Sequence, residues 1–289
     1  MELPFDPEIH LGPLTLAWHG IFTAVGIFFG VWLAIRLLRG RVDEDAAYSV
    51  ATWGVIGGIL GARIFHVADR WDFYSQHLEQ IPLIWTGGIA VWGAAIGGAL
   101  AGLVVALRRG DIPIGATADA AAAGIGLGFG LGRIGDIING EHLAPPCGDG
   151  PGICVAYTNP ATLGQGPEIH GRPFSGAAWE GPVHLPVAYE MVWDLLGVVM
   201  VLVLRRRLGS PEGRIFWLWL LTYAVGRFAF GFLRVGDPTP IIGLRQDQLI
   251  ALAVFAVAAV ALGLVQLGIL RVPRRRPAAT AQAEGSPQT

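Results

Sequence analysis

Lysine is absent: all 20 basic residues of the chain are arginine. That excludes a P-loop lysine, a Schiff-base lysine and a Ser–Lys hydrolase. Charge of either sign is sparse, at 15% of residues, where a soluble domain carries about 25%; an ordinary cytosolic enzyme is therefore disfavoured. The net charge of −2 gives no whole-protein attraction for nucleic acid. Residues 1–10 hold Glu2, Asp6 and Glu8 and no basic residue, so the start lacks the positive region of a cleaved signal peptide. Ser175 follows Pro173 and Phe174 rather than sitting in a G-x-S-x-G elbow. Carboxylates and histidines show no two-metal spacing, and no metal ligand set or cofactor is expected.

What is abundant is apolar surface, at 53% of residues, together with 42 glycines. The glycines have no three-residue period, which excludes collagen, and the apolar runs exclude a disordered chain. A helix needs about 20 apolar residues to cross the hydrocarbon core. Seven segments qualify: residues 16–38, 46–66, 83–107, 113–135, 187–204, 214–233 and 247–270. The expected fold is an all-α integral membrane protein of seven transmembrane helices.

Arginine sets the orientation. Arg36, Arg39 and Arg41 follow the first segment, Arg108 and Arg109 the third, Arg205, Arg206, Arg207 and Arg214 the fifth. Arg271, Arg274, Arg275 and Arg276 follow the last, whereas the opposite loops hold only Arg70, Arg172, Arg234 and Arg245, mixed with acids. The positive-inside rule puts the N-terminus outside and the C-terminus in the cytoplasm. Residues 1–272 then form the transmembrane domain, and 140–186 form a small extramembrane lobe on the outside. Residues 273–289 read as a disordered cytoplasmic tail. The lobe contains Cys147 and Cys154, either a disulfide or two free thiols. His142, His170 and His184 share it, but their spacing fits no standard zinc site.

Arginine inside a span costs about 2.5–3.5 kcal/mol at the centre and less near an interface. At a rise of ~1.5 Å per residue, Arg63, Arg133 and Arg227 lie roughly 26, 30 and 20 Å from the cytoplasmic ends of their helices. All three fall in the outer leaflet or at its edge. Tyr223 and Arg234 share a face with Arg227. Two readings are open: each guanidinium snorkels singly to the outer headgroups, or they converge on an anion such as a phospholipid phosphate, which suits their planar fork. Alternating glycines (Gly124, Gly126, Gly128, Gly130, Gly132) and the cluster Gly54, Gly57, Gly58, Gly61 read as close helix packing. They are not a dinucleotide fingerprint, because no strand precedes them.

The stretch Gly132-Arg133-Ile134-Gly135-Asp136-Ile137-Ile138-Asn139-Gly140-Glu141 resembles the G-R-x-G-N-F-x-N-x-E signature of the prolipoprotein diacylglyceryl transferases. Other blocks agree in the same order. They are Trp18-His19-Gly20, Gly61-Ala62-Arg63, Trp85-Thr86-Gly87-Gly88, His184 with Tyr189-Glu190, and Tyr223 with Arg227, Arg234 and Asp237. The resemblance implies a bacterial inner-membrane transferase with its active site toward the outer leaflet. Its partners would be phosphatidylglycerol and the lipobox cysteine of a prolipoprotein signal peptide; the product would be a thioether, and glycerol phosphate would leave. On it, Arg133 and Arg227 hold the phosphate, with Arg63, Arg234 and Tyr223 in support. Asn139, Gly140 and Glu141 orient the headgroup or cap the helix.

Four positions depart from the family pattern. Trp92 stands where many members have a histidine proposed as the base, and His19 replaces a tyrosine. Asp136 replaces asparagine, and Gly231 replaces glutamate. His19 is either the substitute base or a headgroup contact; Asp136 either pairs with Arg133 or is itself the base. A catalytically silent phospholipid-binding relative and a small-anion transporter are the alternatives; the transporter lacks the expected internal repeat.

Overall fold

The computed structural model describes residues 1–12, 14–84, 87–88, 90–140, 146–147, 152–162, 181–208, 211–234 and 241–270. Glu141, His142, His170, Ser175, Trp85, Thr86, Asp237 and the tail lie outside the described residues.

Among the described residues, seven long helices alternate in direction: α1 (Trp18–Leu38), α2 (Glu44–Asp69), α4 (Val91–Arg109), α5 (Ile114–Asn139), α6 (Pro186–Arg207), α7 (Arg214–Gly231) and α8 (Gln246–Gln266). A single turn, α3 (Trp71–Tyr74), follows α2. Six of the seven are long and apolar enough to cross a membrane; α7, with 18 residues including Arg214 and Arg227, falls short by composition. Large apolar side chains such as Phe28, Trp32, Leu60, Leu100, Leu107 and Val260 stay exposed along these helices. In water that would be a liability; against acyl chains it is the expected surface.

The helix ends are written locally. The Asp43 carboxylate accepts from Ala46 N at the start of α2, Pro186 opens α6, and α4 stops at the left-handed Gly110. At the arginine-rich end, the buried Asp119 of α5 accepts the Gly213 and Phe216 amides, each at 2.8 Å, and so caps α7 from another helix.

Helices pair as α1 with α5 and α2 with α4, while α6 lies against α5 and α7, and α7 against α8. Glycine makes the first two pairs close. A Cβ on Gly30 would come within 2.4 Å of the Gly124 carbonyl oxygen, and one on Gly61 within 2.3 Å of the Gly93 oxygen. Backbones at that approach gain dispersion over their whole length of contact.

Two expectations need correction. The third span was placed at 83–107, but α4 begins at Val91. Gly87 and Gly88 adopt φ of 88° and 76° and hold an irregular segment ahead of it. The chain is also not purely helical. β1 (Glu2–Leu3) pairs parallel with β4 (Cys154–Tyr157), which pairs antiparallel with β5 (Pro182–His184), and β2 (Glu8–Leu11) forms a hairpin with β3 (Leu14–Ala17). Leu3, Val155, Tyr157, Val183, Leu185 and Ala188 form the core of this lobe. Its sheet is pinned to the end of α5 by the Tyr157 hydroxyl, which donates to the Ile137 carbonyl at 2.8 Å. Strands of two to four residues leave too little alternation to be read from pattern.

Candidate active site

At the lobe end of the bundle, five helix termini meet. The last turns of α5 supply Arg133, Asp136 and Asn139; the first turns of α6 supply Glu190 and Asp194. The last half of α7 supplies Tyr223 and Arg227, with Arg234 just beyond it. Arg245 and Asp247 start α8, and His19 is the second residue of α1.

Glu190 is the centre. Its carboxylate receives Arg133 Nη2 at 2.7 Å, Arg227 Nη1 at 3.2 Å and Arg234 Nη2 at 2.5 Å. Three guanidinium groups, one from α5 and two from α7 and the turn that follows it, therefore converge on one buried acid. The other arm of Arg133, Nη1, reaches Asp136 Oδ2 at 2.9 Å, and Arg227 Nη2 reaches Asp247 Oδ2 at 3.3 Å. Arg245 Nη1 donates to the Arg234 carbonyl, so the segment after α7 is tied to the start of α8. Burial presses the Arg234 guanidinium down to about 10, while the Glu190 carboxylate opposes that shift. Arg234 stays charged at neutral pH.

These arginines do not snorkel singly. Exposure separates them by role: the side chains of Arg133 and Arg227 are each 15% exposed, and that of Arg234 only 3%. Arg133 and Arg227 form the accessible edge, and Arg234 is the buried buttress. The space between Arg133, Glu190, Asp194, Tyr223 and Arg227 is a cavity of about 10 Å3, room for about one water. Oδ2 of Asp194, turned into the same buried region, has no hydrogen-bond partner among the described residues.

The second arm of the site runs through Asp136. Its Oδ1 lies 2.5 Å from His19 Nδ1, so one carboxylate bridges an arginine and an imidazole. Gly135 makes this possible: a Cβ there would lie 2.5 Å from the His19 Cα, so any larger residue would push α1 away. The Asp136 side chain is 5% exposed and that of His19 is 37% exposed. The acid is enclosed and the imidazole is open.

The remaining candidates fall in different places. Arg63 belongs to another structure: Nε donates to Ile81 O (2.8 Å), Nη1 to Gly87 O and Gly88 O (2.7 and 2.8 Å), and Nη2 to Gln80 O (2.6 Å). The Tyr74 ring covers it at 5.2 Å. Those bonds clamp the irregular segment before α4. Tyr223 lies in an aromatic stack, 5.3 Å from Phe129 and 5.9 Å from Trp219, with Trp92 edge-on at 6.5 Å. Asn139 is buried at the end of α5, and Gly140, at φ 68°, is the left-handed cap that ends the helix. Gly231 leaves room for the Gln248 side chain, which donates to the Phe228 carbonyl at 3.2 Å. Cys147 and Cys154 are joined by a disulfide.

The sequence reading missed Glu190 as the hub and Asp247 as the second counter-ion. Glu190 is visible as the glutamate after Tyr189, but its partners follow only from α6 facing both α5 and α7.

The family model described as prolipoprotein diacylglyceryl transferase matches residues 8–264. A protein of Trichormus variabilis named phosphatidylglycerol--prolipoprotein diacylglyceryl transferase is 36% identical over 276 residues, which is 93% of this chain and 90% of the relative. One of that name from Symbiobacterium thermophilum is 35% identical over 284 residues, 97% of each chain. Another from Geobacillus kaustophilus is 31% identical over 261 residues, 89% of this chain and 91% of the relative.

Proposed function

The chain belongs to the prolipoprotein diacylglyceryl transferase family, and from that premise we propose how its arginine cluster carries out the transfer. The enzyme moves the diacylglyceryl group of phosphatidylglycerol to a prolipoprotein thiol. A carbon–sulfur bond forms at the glyceryl carbon, and the carbon–oxygen bond to the phosphate breaks. The phosphate leaves on glycerol with one more negative charge than it had as a diester. That gain of charge is what a site can stabilise selectively.

Arg133 and Arg227 are the groups for this, because their guanidinium planes stand at the accessible edge while Glu190 fixes their orientation. Preorganisation matters here, since a flexible guanidinium would lose rotamer freedom at each turnover. The nucleophile must be a thiolate, because the thiol itself is a poor one. His19 takes the thiol proton, and Asp136 holds its ring and stabilises the imidazolium, while coupling this arm to Arg133. The cavity is too small for a headgroup, so the substrate phosphate docks at the rim, or enters by displacing Glu190 from one arginine.

The lipobox cysteine of the signal peptide reaches the site from the lobe end, and residues 1–272 act as one seven-span domain of a bacterial cytoplasmic membrane. The arginine-rich loops support an outward N-terminus and an active site toward the outer leaflet. The convergence of three guanidinium groups on Glu190, with His19 attached through Asp136, carries this reading. Incubation of the purified protein with phosphatidylglycerol and a lipobox peptide tests it. A thioether product of the expected mass is the result anticipated; lipid binding without product would instead mark a silent relative.

A further inference from the structure

Away from the arginine cluster, the lobe brings a third group to its disulfide. Cys154 on β4 and His184 on β5 are register partners across the antiparallel pair. Cys147 is held beside them by its amide, which donates to the Pro182 carbonyl at 2.9 Å. The two sulfur atoms and an imidazole nitrogen of His184 all lie within 4.8 Å of one another. The ring cannot swing freely: a Cβ on Gly152 would come within 2.8 Å of it, so the backbone is packed against the imidazole. Ile153 N donates to the Tyr189 hydroxyl at 2.7 Å, fixing the same loop against α6.

We propose that, in its dithiol state, this Cys147–Cys154–His184 cluster is a binding site for a thiophilic divalent cation of the zinc type. A dithiol reductant supplies two electrons and two protons to the sulfur–sulfur bond and is itself oxidised to a disulfide. The two thiols then lose their protons on binding the cation, and His184 supplies a neutral nitrogen. Tetrahedral zinc, with bonds of about 2.3 Å to sulfur and 2.0–2.1 Å to nitrogen, needs ligand atoms roughly 3.5–3.8 Å apart. With the His184 ring held in place, the two sulfur atoms, once no longer bonded to each other, have to part by rotation of the Cys147 and Cys154 side chains within that 4.8 Å envelope. Three protein ligands leave a fourth position for water. Disulfide and metal are alternatives at one place. The metal would also tie β4 to β5 two residues ahead of Pro186, where α6, the helix that carries Glu190, begins.

Cobalt is the probe, since its thiolate complexes absorb. The full chain in detergent is reduced under anaerobic conditions, its thiols are counted with a chromogenic reagent, its helix content is checked, and cobalt(II) is titrated in. Two titratable thiols and one equivalent of cobalt with a sulfur-to-metal charge-transfer band are expected. Cys147→Ser should lose that band, and His184→Asn should weaken apparent affinity at least tenfold. The proposal is overturned if the folded, reduced protein yields no such band, if it exposes no pair of thiols, or if His184→Asn binds cobalt as tightly as the parent chain.

Discussion

Glu190 holds three cations in a place where water is scarce, and its removal should be felt before any chemistry begins. Stripping one partner from a buried ion cluster costs about 3–5 kcal/mol, because the remaining charges lose their counter-ion. Glu190→Gln should therefore lower the melting temperature in detergent. If the cluster receives phosphate, glycerol phosphate should raise that temperature more in the variant than in the parent, since a bound anion restores the missing charge. Equal shifts in both would place the phosphate elsewhere. Arg133→Lys keeps the charge but loses the fork, so kcat/KM should fall about 10²–10³-fold, read by thioether formation. His19→Ala should cost about 10²–10⁴-fold, the usual range for a general base; full transfer at neutral pH would remove His19 from the mechanism.

Residue positions also explain what could be read in advance. Arg133 and Arg227 are legible because a cation inside an apolar span needs a reason. Arg63 looked like a third member because depth along a helix follows from counting residues. The direction a side chain faces does not follow, and Arg63 points to the carbonyls before α4. Likewise, the space at Gly231 is filled by Gln248 from the next helix, a contact no local pattern carries.

At the level of elements, the bundle depends on backbone-to-backbone approach in two helix pairs. Gly58 and Gly61 lie on the same helix and differ sharply in this respect. A Cβ at Gly61 would stand 2.3 Å from the Gly93 carbonyl oxygen, while one at Gly58 would meet the Ala94 oxygen at 3.4 Å, ordinary contact. Gly61→Ala should destabilise by about 1–3 kcal/mol, the cost of overpacking, and Gly58→Ala should leave the melting temperature nearly unchanged. Comparable losses in both would contradict this, since helix propensity alone favours alanine at each position and only the α2–α4 contact separates them. Six of the spans are readable from run length and composition alone. The late start of α4 and the small sheets are not, because clamping by Arg63 and pairing of β1 with β4 join residues far apart in the chain.

At the level of the molecule, the lobe, the helix termini and the arginine cluster all gather at one end, opposite the arginine-rich loops. This polarity follows from alternating helix direction, and it separates the buried ion cluster from the arginine-rich loops. The central claim is that Arg133 and Arg227, oriented by Glu190, grip the phosphate of the lipid headgroup. A structure of the protein with phosphatidylglycerol tests it most directly. The account predicts phosphate oxygens within hydrogen-bonding distance, about 3 Å, of both Arg133 and Arg227, with the glyceryl carbon on the His19 side. A phosphate held away from both guanidinium groups would contradict it.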